Sequence, residues 1–363
     1  MRPAAALMLA ALLAPPAGAQ ASDTAAPAPP RRGPRVFAYP YAFYSPETEL
    51  AVGVGGILYF RAGADTVLRP SKVLLSAYYT SNEQYKVTLS HDLYMSANRT
   101  AATVDLSFGE FIDKFYGIGP TTPDTGSPGY LLELLSVEGT FTRRVGDGAL
   151  RIGGIYRGEH QTNTDLASNG FLLTDSVRGS DGGWVSGLGA DFVWDSRDNV
   201  FYPSRGGFSE VRVTVFASAL GSSFSFTEAV ADLRRYLNVG GHVLGIQAYT
   251  ALVRGEPPYF KLPKLGGGVR MRGYYEGRYR DRTYTMAQAE YRTTLFWRLG
   301  FVAFAGVGDV ADSYSKYRLR DVKTSLGFGL RFLFDPKERI NIRADFGFGK
   351  NTSGVYFAIE EAF

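Results

Sequence analysis

Apolar and polar residues alternate along nearly all of the chain after Pro34. Val211, Val213 and Val215 alternate with Glu210, Arg212 and Thr214, and Leu326, Phe328, Leu330 and Phe332 with Ser325, Gly327, Gly329 and Arg331. The same holds for Ile340, Ile342, Ala344, Phe346 and Phe348 against Asn341, Arg343 and Asp345, and for Val87, Leu89 and Leu93 against Lys86, Thr88, Ser90 and Asp92. Successive side chains of a strand point to opposite faces, so each stretch makes a strand with one apolar and one polar face. The pattern predicts strands over 36–44, 50–60, 71–80, 85–97, 100–112, 130–143, 149–160, 182–195, 207–219, 223–237, 242–254, 282–295, 300–309, 323–334, 339–349 and 354–363.

A soluble antiparallel sandwich gives the same local alternation, so strand length and connections decide between the two. The predicted strands run to about 10 residues, where soluble strands average about 5 or 6. They number ~16, even as in bacterial single-chain barrels. The longest connections, 113–129, 161–181, 255–281 and 310–322, all follow odd-numbered strands. Most of the opposite set are tight, such as Asn98-Arg99, Asn238 to Gly241 and Asp335 to Glu338, with 61–70 and 196–206 as longer exceptions. Short periplasmic turns and long external loops produce this sorting. The expectation is an all-β protein, a single transmembrane antiparallel β-barrel.

Composition adds a compartment. Met1-Arg2, the apolar run Ala4 to Ala14 and the small residues Ala17-Gly18-Ala19 are the three parts of a secretory signal peptide. The run is too short for a membrane-crossing helix, which needs roughly 20 residues. The expected organisation is a signal peptide over 1–19, a disordered periplasmic tether over 20–35 and the barrel over 36–363, placed in the bacterial outer membrane. The absence of cysteine excludes disulfides and thiolate metal sites. A net charge of +4, spread along the chain, contains no basic block, and no nucleic-acid partner is expected. The 43 glycines, 23 tyrosines and 25 phenylalanines suit strands that meet lipid on one face and carry aromatics at the interfaces. Trp184, Trp194 and Trp297 fall near predicted strand ends and read as interface anchors. The last strand presents Val355, Phe357 and Ile359 on one face and ends in Phe363. Phe357 and Phe363 together resemble the signal that barrel-assembly machinery recognises.

The connection 255–281 carries Leu265-Gly266-Gly267-Gly268-Val269-Arg270-Met271-Arg272-Gly273-Tyr274 and then Tyr279-Arg280-Asp281. Gln288-Ala289-Glu290-Tyr291-Arg292 and Phe304-Ala305-Gly306-Val307-Gly308 follow. Upstream stand Phe115-Tyr116-Gly117-Ile118-Gly119, Asp195-Ser196-Arg197-Asp198-Asn199 and Pro203-Ser204-Arg205-Gly206. In that order, and over most of the chain, these resemble the BamA/TamA outer-membrane assembly superfamily. The resemblance implies a loop whose Arg-Gly-aromatic tip folds back into the lumen, with Gly266, Gly267, Gly268, Arg272, Gly273 and Tyr274 as its motif. Successive glycines let a backbone pack closely in a confined space. Arg272 is a fixed fork that seeks a carboxylate, and Glu290, whose parity is that of Gln288 and Arg292, is the expected anchor. Met286 shares that parity and fits a wet lumen poorly. Gly306 stands where the family often carries a carboxylate, so the resemblance implies that Arg272 lacks a second anchor; Asp309 has the opposite parity. Family members that handle unfolded clients carry periplasmic transport-associated domains, and the 20–35 tether is no substitute for one.

Other constellations have plainer readings. Asp195 to Asp198 reads as local turn chemistry. Arg151, Arg157, Arg212, Arg331, Arg343 and Asp345 read as a salt-bridged lumen, with a selective pore as the sharper alternative. The glycine run Gly53 to Gly56 lacks the helix that a phosphate loop opens. Nucleophilic catalysis needs a base within reach of a serine; His91 falls on the lipid-side parity with Leu89 and Leu93 while Ser90 and Asp92 point to the other face, and no metal pattern links it to His160 and His242, so an outer-membrane hydrolase is only the remote alternative. No enzyme, metal or cofactor is expected. Two functions stay open. One is assembly or translocation through a weakly paired seam between first and last strands, supported by Pro40, since proline is confined to sheet edges. The other is a passive pore or structural, lipid-contacting barrel. Expected partners are outer-membrane lipid, the assembly machinery for the chain's own insertion, and an unfolded client or a periplasmic partner.

Overall fold

The structure, a computed structural model, describes residues 34–45, 49–61, 69–124, 129–166, 170 and 177–363. The expected signal peptide and the tether up to residue 33 lie outside them. The first seven strands are β1 (Arg35–Ser45), β2 (Glu49–Phe60), β3 (Ser71–Thr80), β4 (Tyr85–Met95), β5 (Thr100–Lys114), β6 (Gly129–Arg144) and β7 (Leu150–Asp165). They continue as β8 (Gly182–Asp195), β9 (Gly206–Phe216), β10 (Phe226–Val239) and β11 (His242–Gly255). A small hairpin, β12 (Lys264–Leu265) with β13 (Tyr279–Arg280), lies within the following connection. Then come β14 (Thr283–Phe296), β15 (Leu299–Ala311), β16 (Lys323–Asp335), β17 (Ile340–Gly349) and β18 (Thr352–Ile359).

Apart from the hairpin, sixteen strands form one sheet in chain order, each antiparallel to the next. The sheet curls into a barrel, but among the described residues no backbone ladder joins β1 to β18. The wall is tallest at β6 and β7, 16 residues each, and lowest beside the seam, where β18 has 8.

The burial pattern is inside out relative to a soluble protein. Val211, Val213, Val215, Leu326, Phe328 and Leu330 are exposed on the outer face, whereas Glu290, Arg292, Arg331, Arg343 and Asp345 are buried. Only a lipid solvent makes that arrangement favourable. Trp184, Trp194 and Trp297 are exposed near strand ends.

Several boundaries differ from the sequence expectation for local reasons. β5 and β7 extend beyond 112 and 160 because the outer parts of neighbouring strands keep pairing, as in Asp113↔Tyr130 and Thr164↔Leu131. β9 stops at Phe216 and β10 starts at Phe226, since Ser218–Leu220 makes a 3-10 turn closed by Gly221 at φ 83°. The last strand ends at Ile359 and not at 363: Glu360 takes a left-handed backbone, φ 71°, and turns the chain into the lumen.

Candidate functional site

The site is the lumenal loop between β11 and β14 together with the wall it touches. Its first limb enters through Tyr259, Phe260 and Leu262, buried against Phe115, Tyr130, Leu132, Val185 and Phe226. The β12–β13 hairpin then fixes the neck, and residues 266–278 form the tip. Loop backbone needs hydrogen-bond partners once it leaves water. Arg343 donates to the Gly268 carbonyl at 3.0 Å, Gln288 Nε2 to the Val269 carbonyl at 3.0 Å, and the Gly273 amide to the Tyr356 hydroxyl at 2.8 Å.

At the tip the guanidinium of Arg272 is fully buried between two carboxylates, Glu290 on β14 and Asp345 on β17, each at 2.5 Å. Its carbon lies 3.5 Å from the centre of the Phe304 ring, a cation–π contact. The network widens from there. Arg292 holds Glu290 at 2.8 Å, Arg331 holds Asp345 at 2.5 Å, and Arg343 holds Asp345 at 2.6 Å. Glu361 joins it, accepting from Arg331 at 2.7 Å and from Asn341 at 2.8 Å. A buried charge is tolerated only where it is paired and hydrogen-bonded, and here each carboxylate meets two or more cations or amides.

The second anchor that Gly306 was expected to leave missing is supplied by Asp345. The space over Gly306 is occupied by the loop: a Cβ there would lie 3.2 Å from the Met271 sulfur. Asp309 instead pairs with Lys323 at 2.5 Å. Met286 also finds its reason, since it packs with Leu265, Met271, Tyr274 and Tyr284 in an apolar patch between loop and wall.

The glycines act by shape. Gly273, at φ 111°, lies against Gly347 of β17, where a Cβ on either residue would come within 2.6 Å of the other's backbone segment. Gly266, at φ 109°, folds the chain so closely that a Cβ would meet the Tyr275 carbonyl at 2.3 Å. Gly267 donates to the Tyr274 carbonyl at 3.0 Å, and Gly268 lies 3.2 Å from the Tyr356 ring measured from its would-be Cβ. Tyr274 lies over Gly349, donates to the Thr324 carbonyl at 3.0 Å and accepts from the Lys350 amide at 2.9 Å. The tip therefore grips β16, β17 and β18 from inside.

At the neck, Arg278 binds Asp124 at 3.1 Å and Thr122 at 2.7 Å and covers the Tyr116 ring. The hydrogen bond from Arg278 holds the Asp124 carboxyl below its usual range. The Gly119 amide donates to the Arg280 carbonyl at 2.8 Å, and Tyr275 donates to Asp113 at 2.5 Å. The Phe115 to Gly119 segment is thus the second half of the loop's socket.

The remaining sequence candidates lie apart from the tip. Pro40 is on the outer face of β1, the sheet edge, with the register to β2 unbroken at Pro40↔Val54. Phe357 faces outward from β18, but Phe363 is buried in the lumen, where its carbonyl accepts from Arg292 at 2.8 Å and its ring stacks on Tyr236. The histidines are dispersed: His91 beside Phe60, His160 beside Trp184 and His242 bonded to Thr293. Asp345, Ser325 and Tyr356 were not singled out as loop contacts by sequence, nor Glu361 as part of the network behind them. A signal was present, since the lumenal row of β17 runs Asn341, Arg343, Asp345, Gly347, Gly349, and glycines in such a row mark a close backbone approach.

A sixteen-stranded antiparallel barrel whose lumen holds a loop fixed by an Arg-Gly-Tyr tip has the architecture of an outer-membrane β-barrel. The Omp85 superfamily domain matches residues 69–363, and the chain belongs to that superfamily. Among solved structures, BamA from Haemophilus ducreyi lacking POTRA domains 1–3 superposes with a TM-score of 0.56 at 14% identity, over 91% of this chain and 69% of that one. CdiB from Acinetobacter baumannii superposes with a TM-score of 0.55 at 9% identity, over 90% of this chain and 59% of that one. At such identities the likeness is one of fold. The comparison with curated proteins returns no match.

Proposed function

We propose that this barrel assembles or translocates proteins at the outer membrane, working at the seam between β1 and β18. The observation that carries the reading is that, among the described residues, no ladder joins these two edge strands in a sheet otherwise paired from strand to strand. An unpaired edge offers its backbone groups to another chain. The loop supports the reading because its tip contacts β16, β17 and β18, and so can set how the last strands stand relative to β1. The lumen occupied by loop and tail speaks against the alternative of a passive pore, which needs an open aqueous path. The client is an unfolded outer-membrane chain, delivered by a periplasmic partner, and the signal peptide over 1–19 brings the protein itself to the envelope.

The test is client insertion. Purified barrel in liposomes is given an unfolded outer-membrane protein, with an unrelated barrel of similar size as control. Faster insertion than the control is the expected result. Equal rates, combined with steady single-channel conductance, would replace assembly by a pore function.

A further inference from the structure

The turn between β8 and β9 is far longer than a strand reversal requires, and it lies halfway round the sheet from the seam. Its shape is built in. Asn199 Oδ1 accepts the amides of Phe201 at 2.8 Å and Tyr202 at 2.7 Å, and Asp198 Oδ1 accepts the Ser204 amide at 2.8 Å. Asp195 at its root holds Arg197 at 3.0 Å and also pairs with Arg69. A turn ordered by side chains in this way projects as a rigid body.

It projects across the periplasmic mouth onto both sides of the seam. Phe201 is 4% exposed, lies edge-on to Tyr59 of β2 at 5.3 Å and packs with Ile57 of β2 and Ile340 of β17. Val200 and Ile359, at the end of β18, pack against the same cluster, with Phe37 of β1. Asn199 Nδ2 donates to the Glu338 carbonyl at 3.2 Å, and Arg339 reaches Asp198 at 3.4 Å. Around this wedge, ion pairs bridge the seam directly: Arg35 with Asp335 at 2.8 Å and Lys72 with Glu360 at 2.9 Å. Lys72 also lies over the Phe201 ring, 5.6 Å from its centre. Where backbone pairing is missing, apolar burial and partly buried ion pairs at one end take its place.

We infer that Phe201 is a positioning residue: the β8–β9 turn is a strut from the opposite wall that holds the periplasmic ends of β1 and β18 together, so that the two strands part from their outer ends. The inference rests on the reading of the seam as the working part of the barrel, and gives that seam a fixed end.

The absence of cysteine allows spin labels at engineered cysteines without background. One pair, Asn82→Cys with Asn351→Cys, reports the outer side of the seam; the other, Ala97→Cys with Lys337→Cys, reports the periplasmic side. In reconstituted barrel, Phe201→Ala should move the periplasmic distance distribution to longer values and leave the outer one in place, and Phe201→Leu, which keeps apolar bulk, should restore most of the original. Should Phe201→Ala fail to fold, judged by heat-modifiable migration, Asn199→Ala weakens the same strut more gently, and Lys72→Gln with Glu360→Gln removes the ion pair beside it; both carry the same expectation. An unchanged periplasmic distribution, or equal broadening at both ends, overturns the inference. A client-insertion rate at background in all variants would remove the assembly reading without altering the distances, so the two fail separately.

Discussion

Arg272 connects the loop to two strands that are distant in sequence, through Glu290 and Asp345. Removing one partner of a buried ion pair strands the other, at a cost of about 3–5 kcal/mol. Glu290 keeps Arg292, and Asp345 keeps Arg331 and Arg343, when Arg272 is removed, so Arg272→Ala should cost the refolded barrel no more than about that amount, read as a lower denaturant midpoint and easier proteolysis of the 255–281 loop. An unchanged midpoint and unchanged proteolysis would show that the loop is held by its other contacts. Arg272→Lys should behave more like the alanine variant than its charge suggests, since an ammonium cannot fork between Glu290 and Asp345 while stacking on Phe304. Gly347→Ala tests shape without charge. Its methyl would lie 2.6 Å from the Arg272 carbonyl carbon and the Gly273 amide nitrogen, so the tip has to withdraw, and proteolysis of the loop should rise with little change in strand content by circular dichroism. At this scale the motif and the Glu290 anchor were legible, because parity places Glu290 on the lumenal face. Asp345 was legible as lumenal but not as a partner, since parity fixes the face of a residue and not which loop crosses it.

Among the elements, the β8–β9 turn has the clearest dependence on solution conditions. Burial acts to raise the Asp198 carboxyl, but hydrogen bonds from Ser204 and Arg205, with Arg339 nearby, outweigh it and hold the group below its ordinary value. A carboxyl with a depressed folded-state pKa contributes stability that is fully present above the unfolded value of about 3.9 and is lost as pH falls through the folded value. The protection of the Ser204 and Arg205 amides, taken against their intrinsic exchange at each pH, should therefore fall only under acid conditions, and Asp198→Asn should remove that pH dependence. Protection that falls equally in the wild type and in Asp198→Asn would put the acid lability elsewhere. Sequence read this segment as local turn chemistry, which the Asn199 and Asp198 hydrogen bonds bear out. Its reach across the lumen to Ile57 and Ile340 was not legible, because the distance between β2, β8 and β17 depends on how the sheet curves. The last strand shows the converse limit. Alternation up to Ile359 was read correctly, but the turn at Glu360 follows from Arg331, Asn341 and Arg292 offering partners inside the barrel, none of them near in sequence.

For the whole molecule, the unpaired seam sets the order of loosening. Strands paired on both sides open only with much of the sheet, whereas edge strands fray alone. Amides of β1 and β18 should exchange with solvent ahead of those in β6, β7, β10 and β11 when the barrel is held in micelles or bilayers. Protection of β1 and β18 equal to that of β10 would mean that the seam is closed on the timescale of exchange. The sequence by itself determined the strand count, the inside-out face assignment and the side on which long loops emerge, because these follow from alternation, strand length and the lengths of successive connections. Only the tertiary structure decided the contacts between strands far apart in sequence. Asp345 as second anchor, Met271 over Gly306, the strut carrying Phe201 and the inward tail depend on curvature and on which side chains confront one another across a filled lumen, and neither is encoded in the periodicity of any one segment.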